Sequence, residues 1–70
     1  MNWIDTPESS TIARFAYESN AQMLTVAFKN GGEYQYYDVP QSVFEQMQAA
    51  ASKGQFLAQN IKGHYRYARV

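Results

Sequence analysis

Seventy residues with no cysteine and a net charge of zero make one small domain that has no disulfides and no global basic field to attract nucleic acid. A single histidine and no thiolate leave no metal-ligand set, so stability has to come from the core or from self-association. Trp3, four phenylalanines and six tyrosines supply that core, each able to bury on the order of 150–250 Å².

The charge is unevenly placed. Residues 1–40 carry five acids against Arg14 and Lys29, whereas residues 41–70 carry Glu45 against Lys53, Lys62, Arg66 and Arg69. The last third is therefore a modestly basic segment, which reads either as a solvated face or as a docking surface for an anion. The first seven residues lack the basic and apolar regions of a secretory leader. No run approaches the ~18 apolar residues of a membrane span. The expectation is a cytoplasmic protein with no membrane contact and no cofactor.

Residues 1–8 read as a polar amino-terminal arm containing Pro7 and pinned by Trp3 and Ile4; residues 9–70 read as the domain. From Thr11 to Glu18 the composition favours extended chain, but Ile12 and Phe15 have opposite parity. A bulge between them restores a common face. Ser19-Asn20-Ala21 is a turn candidate. Leu24, Val26 and Phe28 alternate with Met23, Thr25 and Ala27, the period-two signature of a strand with one buried face. Asn30-Gly31-Gly32 is a strong hairpin signal, and the strand beyond it, from Glu33 to about Asp38, sets Tyr34 and Tyr36 on one face and Gln35 and Tyr37 on the other.

Val39-Pro40 ends the sheet, since proline pushes its predecessor toward extended geometry and suits a first helical turn. A helix over 41–51 then presents Val43, Phe44, Met47, Ala50 and Ala51 as an apolar stripe. Ser52, followed three residues later by Gln55, is a capping-box pattern opening a second helix. Phe56, Leu57 and Ile61 face the core from that helix, and Gly63 closes it. His64 to Val70 is a short tail, read as extended. The sum is an α+β domain: a three-stranded antiparallel meander followed by two short helices packed on one face, with a short carboxyl-terminal strand as an option.

These residues resemble the KTSC domain, a small module named for its place at the carboxyl terminus of some lysyl-tRNA synthetases and also found as a stand-alone protein. The resemblance rests on Ser9-Ser10-x-Ile12, Tyr17, Leu24-x-Val26-x-Phe28, Gly32-x-Tyr34-x-Tyr36-x-x-Val39-Pro40, Phe44, Ala51-Ser52-x-Gly54-x-Phe56, Ile61 and Tyr65. It covers about Ser9 to Val70. The chain departs from the pattern at Ala16, where the family often has glycine; a bend there would cost more with alanine. The synthetase fusion implies a link to RNA.

Several side chains have two readings. Tyr34 and Tyr36 either stack bases, at about 1–3 kcal/mol per base, or serve as strand residues packing the helices. Tyr37, on the opposite face, is the better candidate for exposure. Lys62-Gly63-His64-Tyr65-Arg66-Tyr67-Ala68-Arg69 interleaves cations with rings, which suits single-stranded nucleic acid but equally suits a docked tail with solvated charges. Ser52 and Gly54, beside Lys53, suggest either an anion site or simple capping. His64 with Asp38 or Glu33 and Ser52 is the only conceivable catalytic set, and nothing in its spacing asks for catalysis.

The expectation is therefore a non-catalytic binding module. Its first candidate partner is RNA or a protein of nucleic-acid metabolism, contacted through Tyr37, Lys53, Lys62, Tyr65, Arg66, Tyr67 and Arg69. Tyr34, Tyr36, Val39, Pro40, Ser52 and Gly54 have structural roles in this reading. The rival is a protein-interaction module that uses a sheet edge or self-association as a homo-oligomer. A small-molecule pocket between sheet and helices is a third option.

Overall fold

The computed structural model describes residues 2–70. Its sheet has five strands rather than three: β1 (Trp3–Asp5), β2 (Ile12–Glu18), β3 (Met23–Phe28), β4 (Glu33–Tyr36) and β5 (Tyr67–Arg69). They lie in the order β1-β2-β3-β4-β5, every pairing antiparallel. The two added strands are the short edges. β1 falls in the stretch read as an arm, where three residues ahead of a proline are too few to display a period of two. It pairs Trp3 with Ala16 and Asp5 with Arg14, and Thr6 continues it by hydrogen bonds to Ala13 and Ile12 carbonyls. β5 is the optional carboxyl-terminal strand.

The register of β2 against β3 shifts between Ile12 and Arg14. Ala13 is the extra residue, and the bulge brings Ile12 and Phe15 to one buried face. Ala16 lies within regular pairing to Trp3 and Thr25, so no bend requires a glycine there. The β3–β4 turn differs in detail from a turn with two positive φ angles. Only Gly31 is left-handed, with φ +98°. Asn30 instead uses its side-chain Oδ1 to accept from the Gly32 N–H at 3.0 Å.

Two helices separate β4 from β5 along the chain. α1 (Gln41–Ala49) starts on Pro40, whose carbonyl accepts from the Val43 and Phe44 N–H groups. It stops two residues short of the expected end because Ala50 turns extended, and the Lys53 Nζ donates to the freed Ala50 carbonyl at 2.7 Å. α2 (Lys53–Phe56) opens on Ser52, whose Oγ accepts from the Gln55 N–H. It runs on through a wider turn over Leu57–Ile61, closed by the Lys62 N–H bonding the Leu57 carbonyl. Gly63, at φ +85°, lets the chain reverse toward β5.

The core forms where the helices meet one face of the sheet. Ile12, Phe15, Leu24, Val26 and Tyr36 meet Val39, Met47, Leu57 and Ile61 there. Phe44 joins this layer by stacking on Tyr17 at 4.7 Å and meeting Phe15 edge-on at 5.9 Å. Tyr17 also ties the sheet to the start of α1, its hydroxyl donating to the Val39 carbonyl. The other face carries no helix. Register places Trp3, Ala16, Thr25, Gln35 and Ala68 in one row across it.

Candidate functional site

Strand alternation divides the basic tail between the two faces. Arg69 lies opposite Tyr34 and Tyr67 opposite Tyr36, so both side chains belong to the helix-side face. Ala68 lies opposite Gln35, so Ala68 and Arg66 belong to the bare face with Tyr37. The segment 62–69 is thus two surfaces joined at an edge rather than one.

On the bare face Tyr37 and Arg66 do come together. The Arg66 guanidinium lies 5.5 Å from the Tyr37 ring centre, and the Tyr37 N–H donates to the Arg66 carbonyl at 2.8 Å. Arg66 also reaches Asp38 at 3.4 Å, with both side chains 77% exposed, a pair that contributes little to stability. Tyr37 is half-buried and its hydroxyl donates to Gln35 Oε1. The cation and the ring already serve each other, and a carboxylate sits beside them. Arg14 stands likewise 4.3 Å over Trp3 at the opposite edge.

On the helix side, β4 and β5 open onto a cleft of about 420 Å³ lined by Phe28, Asn30, Tyr34, Tyr36, Lys62 and Tyr67, with Gly63 at its rim. Its walls are aromatic because four rings converge. Phe28 meets Tyr34 edge-on at 5.6 Å, and Tyr67 lies tilted 5.7 Å from Tyr34 and 5.9 Å from Tyr36. The Tyr67 side chain is 59% exposed, so one ring face is available to a visitor. Tyr36 forms the buried floor, and burial pushes its hydroxyl pKa up, with smaller contributions from Tyr34 and Tyr67. The Tyr36 phenol therefore stays a neutral donor at ordinary pH. Lys62 adds an exposed cation, and the Tyr34–Arg69 register brings a second to the same side.

The remaining candidates separate. Tyr65 packs against the core and is only partly exposed. Lys53 and Ser52 act at the opening of α2, as a carbonyl cap and a helix cap. Gly54 is required by close approach: a Cβ there would stand 2.6 Å from Thr11 Oγ1. Val39 is fully buried behind Pro40. His64 and Ser52 are both exposed and lie at opposite ends of the second helical segment. Among the described residues no cluster of histidine, cysteine, aspartate and glutamate could hold a metal ion, and no helix is long and apolar enough to cross a membrane. Sequence reasoning passed over Phe28 and Asn30 as site residues. Phe28 shares its alternation face with the tyrosine strand, which was the available signal; Asn30 looked only like a turn residue.

The comparisons with known proteins agree with this fold. A family model described as the KTSC domain matches residues 8–65. A lysine–tRNA ligase of Nostoc punctiforme is 42% identical over 64 residues, which is 91% of this chain and 11% of the ligase; the chain thus spans about a tenth of such a relative. An uncharacterized protein of Stutzerimonas stutzeri is 36% identical over 90% of both chains. A crystal structure of a KTSC domain protein from Yersinia pestis superposes with a TM-score of 0.93 at 30% identity, over 99% of this chain and 96% of that one. With its sheet order, its helix start at Val39-Pro40 and its Ser52-x-Gly54 junction all accounted for, the chain belongs to the KTSC domain family.

Proposed function

We propose that this domain is a non-catalytic module that binds single-stranded RNA, taking a base into the cleft between β4 and β5. The observation that carries the reading is the coincidence of an exposed ring, Tyr67, with two further tyrosines and the Lys62 cation around one concavity. Aromatic platforms beside cations are what an unpaired strand needs, because every base has a π-face and every linkage a negative charge. RNA is the chosen nucleic acid because the ligases among the relatives act on a tRNA by their name. The cleft is preferred to the Tyr37–Arg66 pair because Arg66 there already has a ring and a carboxylate as partners.

The test is fluorescence anisotropy with a labelled, unstructured oligoribonucleotide at low salt. Tyr67→Ala is expected to weaken binding by about 5- to 150-fold, the equivalent of one lost stack. Tyr37→Ala is expected to leave it unchanged. Lys62 and Arg69 together contribute about −1.4 to the log–log salt slope, at about −0.7 per phosphate on a single strand. Absence of binding by the parent domain at low salt would sink the reading.

One observation favours a second reading. β5 is an edge strand of three residues whose inward groups bond β4, as in the Val70 N–H to Glu33 carbonyl bond. Its outer backbone groups are free to take an additional strand from a protein partner or a second copy. A mass that rises with concentration, insensitive to Tyr67→Ala, favours that reading.

A further inference from the structure

The aromatic cleft is one end of a longer depression. A concavity of about 360 Å³ adjoins it and shares Phe28, Asn30 and Lys62 with it. Another of about 530 Å³ follows and shares Ser10, Thr11 and Gly54 with the second. Shared wall residues set the three side by side, from β5 past the β3–β4 turn to the seam between the Ser9–Thr11 loop and α2, and we read them as one trough. Its chemistry changes along the way. Beyond Phe28 no ring lines it; the hydroxyls of Ser10, Thr11 and Ser52 and the amides of Asn30 and Gln55 stand there among the aliphatic side chains of Ala51, Leu57 and Ala58. At the seam the wall is bare backbone at Gly54, against which Thr11 is pressed.

Three lysines stand along this path. Lys62 marks the junction with the cleft, Lys29 lines the middle and Lys53 the far part. Two of them are held in place: Lys29 Nζ donates to the Pro7 carbonyl at 3.3 Å and Lys53 Nζ to the Ala50 carbonyl at 2.7 Å. Each spends one of its three protons there and keeps two. None of the three has a carboxylate partner among the described residues. Positioned, uncompensated ammonium groups among hydroxyls suit a chain of phosphodiesters and sugars, which is contacted by such groups irrespective of sequence. Glu8, at the far mouth, is the one acid on the lining and opposes a phosphate there.

We infer that the trough carries the sugar–phosphate backbone leading away from the base in the cleft, with Lys62, Lys29 and Lys53 meeting successive stretches of it. The inference rests on the RNA reading above and extends it to residues outside the cleft. It makes the binding site directional: the backbone continues from one side of the cleft only. The domain is 27 Å across its longest axis, so the path holds a short strand, near the lower end of the roughly 4–16 nucleotides typical of single-strand modules.

The test uses the 70-residue chain and three probes: adenosine monophosphate and two strands of about six nucleotides with a single adenine, at the 5′ or the 3′ end, and abasic ribose elsewhere. The single base removes any statistical gain from multiple registers. One of the two strands is expected to bind at least about tenfold more tightly than the mononucleotide at low salt, with the advantage shrinking as salt rises. Lys29→Ala is expected to remove most of that advantage without weakening the mononucleotide, and Glu8→Gln to increase it. Thermal melting of each variant, with Lys29 exposed, separates these effects from unfolding. Equal affinity of strand and mononucleotide overturns the trough while leaving the base cleft standing. So does a length advantage that Lys29→Ala and Glu8→Gln leave untouched. No binding of any probe overturns the cleft and the trough together.

Discussion

The helix-covered and the bare faces of this sheet are made by the same strands and carry nearly the same chemistry, rings and arginines among small residues, yet they resolve it in opposite ways. On the bare face each exposed arginine lies over an aromatic ring of its own, Arg14 over Trp3 and Arg66 over Tyr37. With no second layer to cover it, this face uses its own long side chains as a lid, and Ala16 and Thr25 become buried beneath them. On the helix-covered face the second layer does that work. The rings beyond its limit, at β5, are left with a free face and with Lys62 nearby. The proposed binding surface therefore lies where the covering layer ends, rather than where the sheet is bare.

The comparison breaks first, and hardest, under substitutions in the covered layer. Met47 is fully buried between α1 and the sheet. Met47→Ala removes the side chain beyond Cβ, thioether included, and leaves a cavity, at a cost of about 2–5 kcal/mol. A domain of this size has a total stability of only about 5–15 kcal/mol at best. Urea unfolding is expected to show a midpoint lowered by a large fraction, or no folded baseline. Removing the Trp3–Arg14 pair by Arg14→Ala is expected to change the unfolding free energy by under about 1 kcal/mol, the scale of an exposed cation–π contact. Similar losses for the two variants would mean that the bare face contributes as much as the core.

Gly54→Ala comes next. The added methyl would enter the space of Thr11 Oγ1, forcing the Ser9–Thr11 loop off α2 at about 1–3 kcal/mol. The double variant Gly54→Ala/Thr11→Ser, which keeps the hydroxyl and trims the β-branch, is expected to recover little. Gly54→Ala/Thr11→Gly should recover most of the lost contact, less the entropy cost of a new glycine. A melting curve for each decides between a steric and a conformational role for this glycine.

Alkaline pH sharpens the contrast in another way. The Tyr36 hydroxyl has its pKa raised above 10.0 in the folded state, first by burial and then by Tyr34 and Tyr67. Unfolded, it titrates near 10.0. Its contribution is therefore fully present below pH 10.0 and is lost as pH rises through the higher folded value. Thermal midpoints are expected to be flat from neutral pH to about 9.5 and to fall above that. Tyr36→Phe is expected to reduce the alkaline fall.

How much of this was legible follows from the range of the interactions. β2, β3 and β4 were readable because their alternation and the Asn30-Gly31 turn are local, and the opposite parity of Ile12 and Phe15 pointed to a bulge. The Ser52 cap and the Gly63 reversal were readable for the same reason. β1 was not, because Trp3-Ile4-Asp5 is too short to show a period and becomes a strand only by pairing with β2. The cleft was legible only in pieces. Tyr34 and Tyr67 were both in view, but 33 positions of chain and two helices separate them. Only the β4–β5 register puts them together. That same register sends Arg66 and Arg69 to opposite faces, a division that the run of cations and rings in the tail concealed.

The smallest expected effect lies at the centre of the bare face. Thr25 is 2% exposed, and its Oγ1 is buried without a hydrogen-bond partner among the described residues. It sits between Ala16 and Gln35 in the row that no helix covers. A buried hydroxyl without a partner costs on the order of 1–3 kcal/mol in lost solvation. Valine has the same branched shape and favours strands. Thr25→Val is therefore expected to raise the unfolding midpoint, with a gain in stability of up to about 1 kcal/mol, and to leave any binding at the proposed cleft site unchanged. If the midpoint falls instead, the hydroxyl has a partner in solution, such as a bridging water. The bare face would then be wetter than its lid of Trp3, Arg14 and Tyr37 implies. If the midpoint rises while any self-association also strengthens, the side chains over Thr25 are moving aside to admit a second molecule, and the bare face joins the cleft as a place of contact.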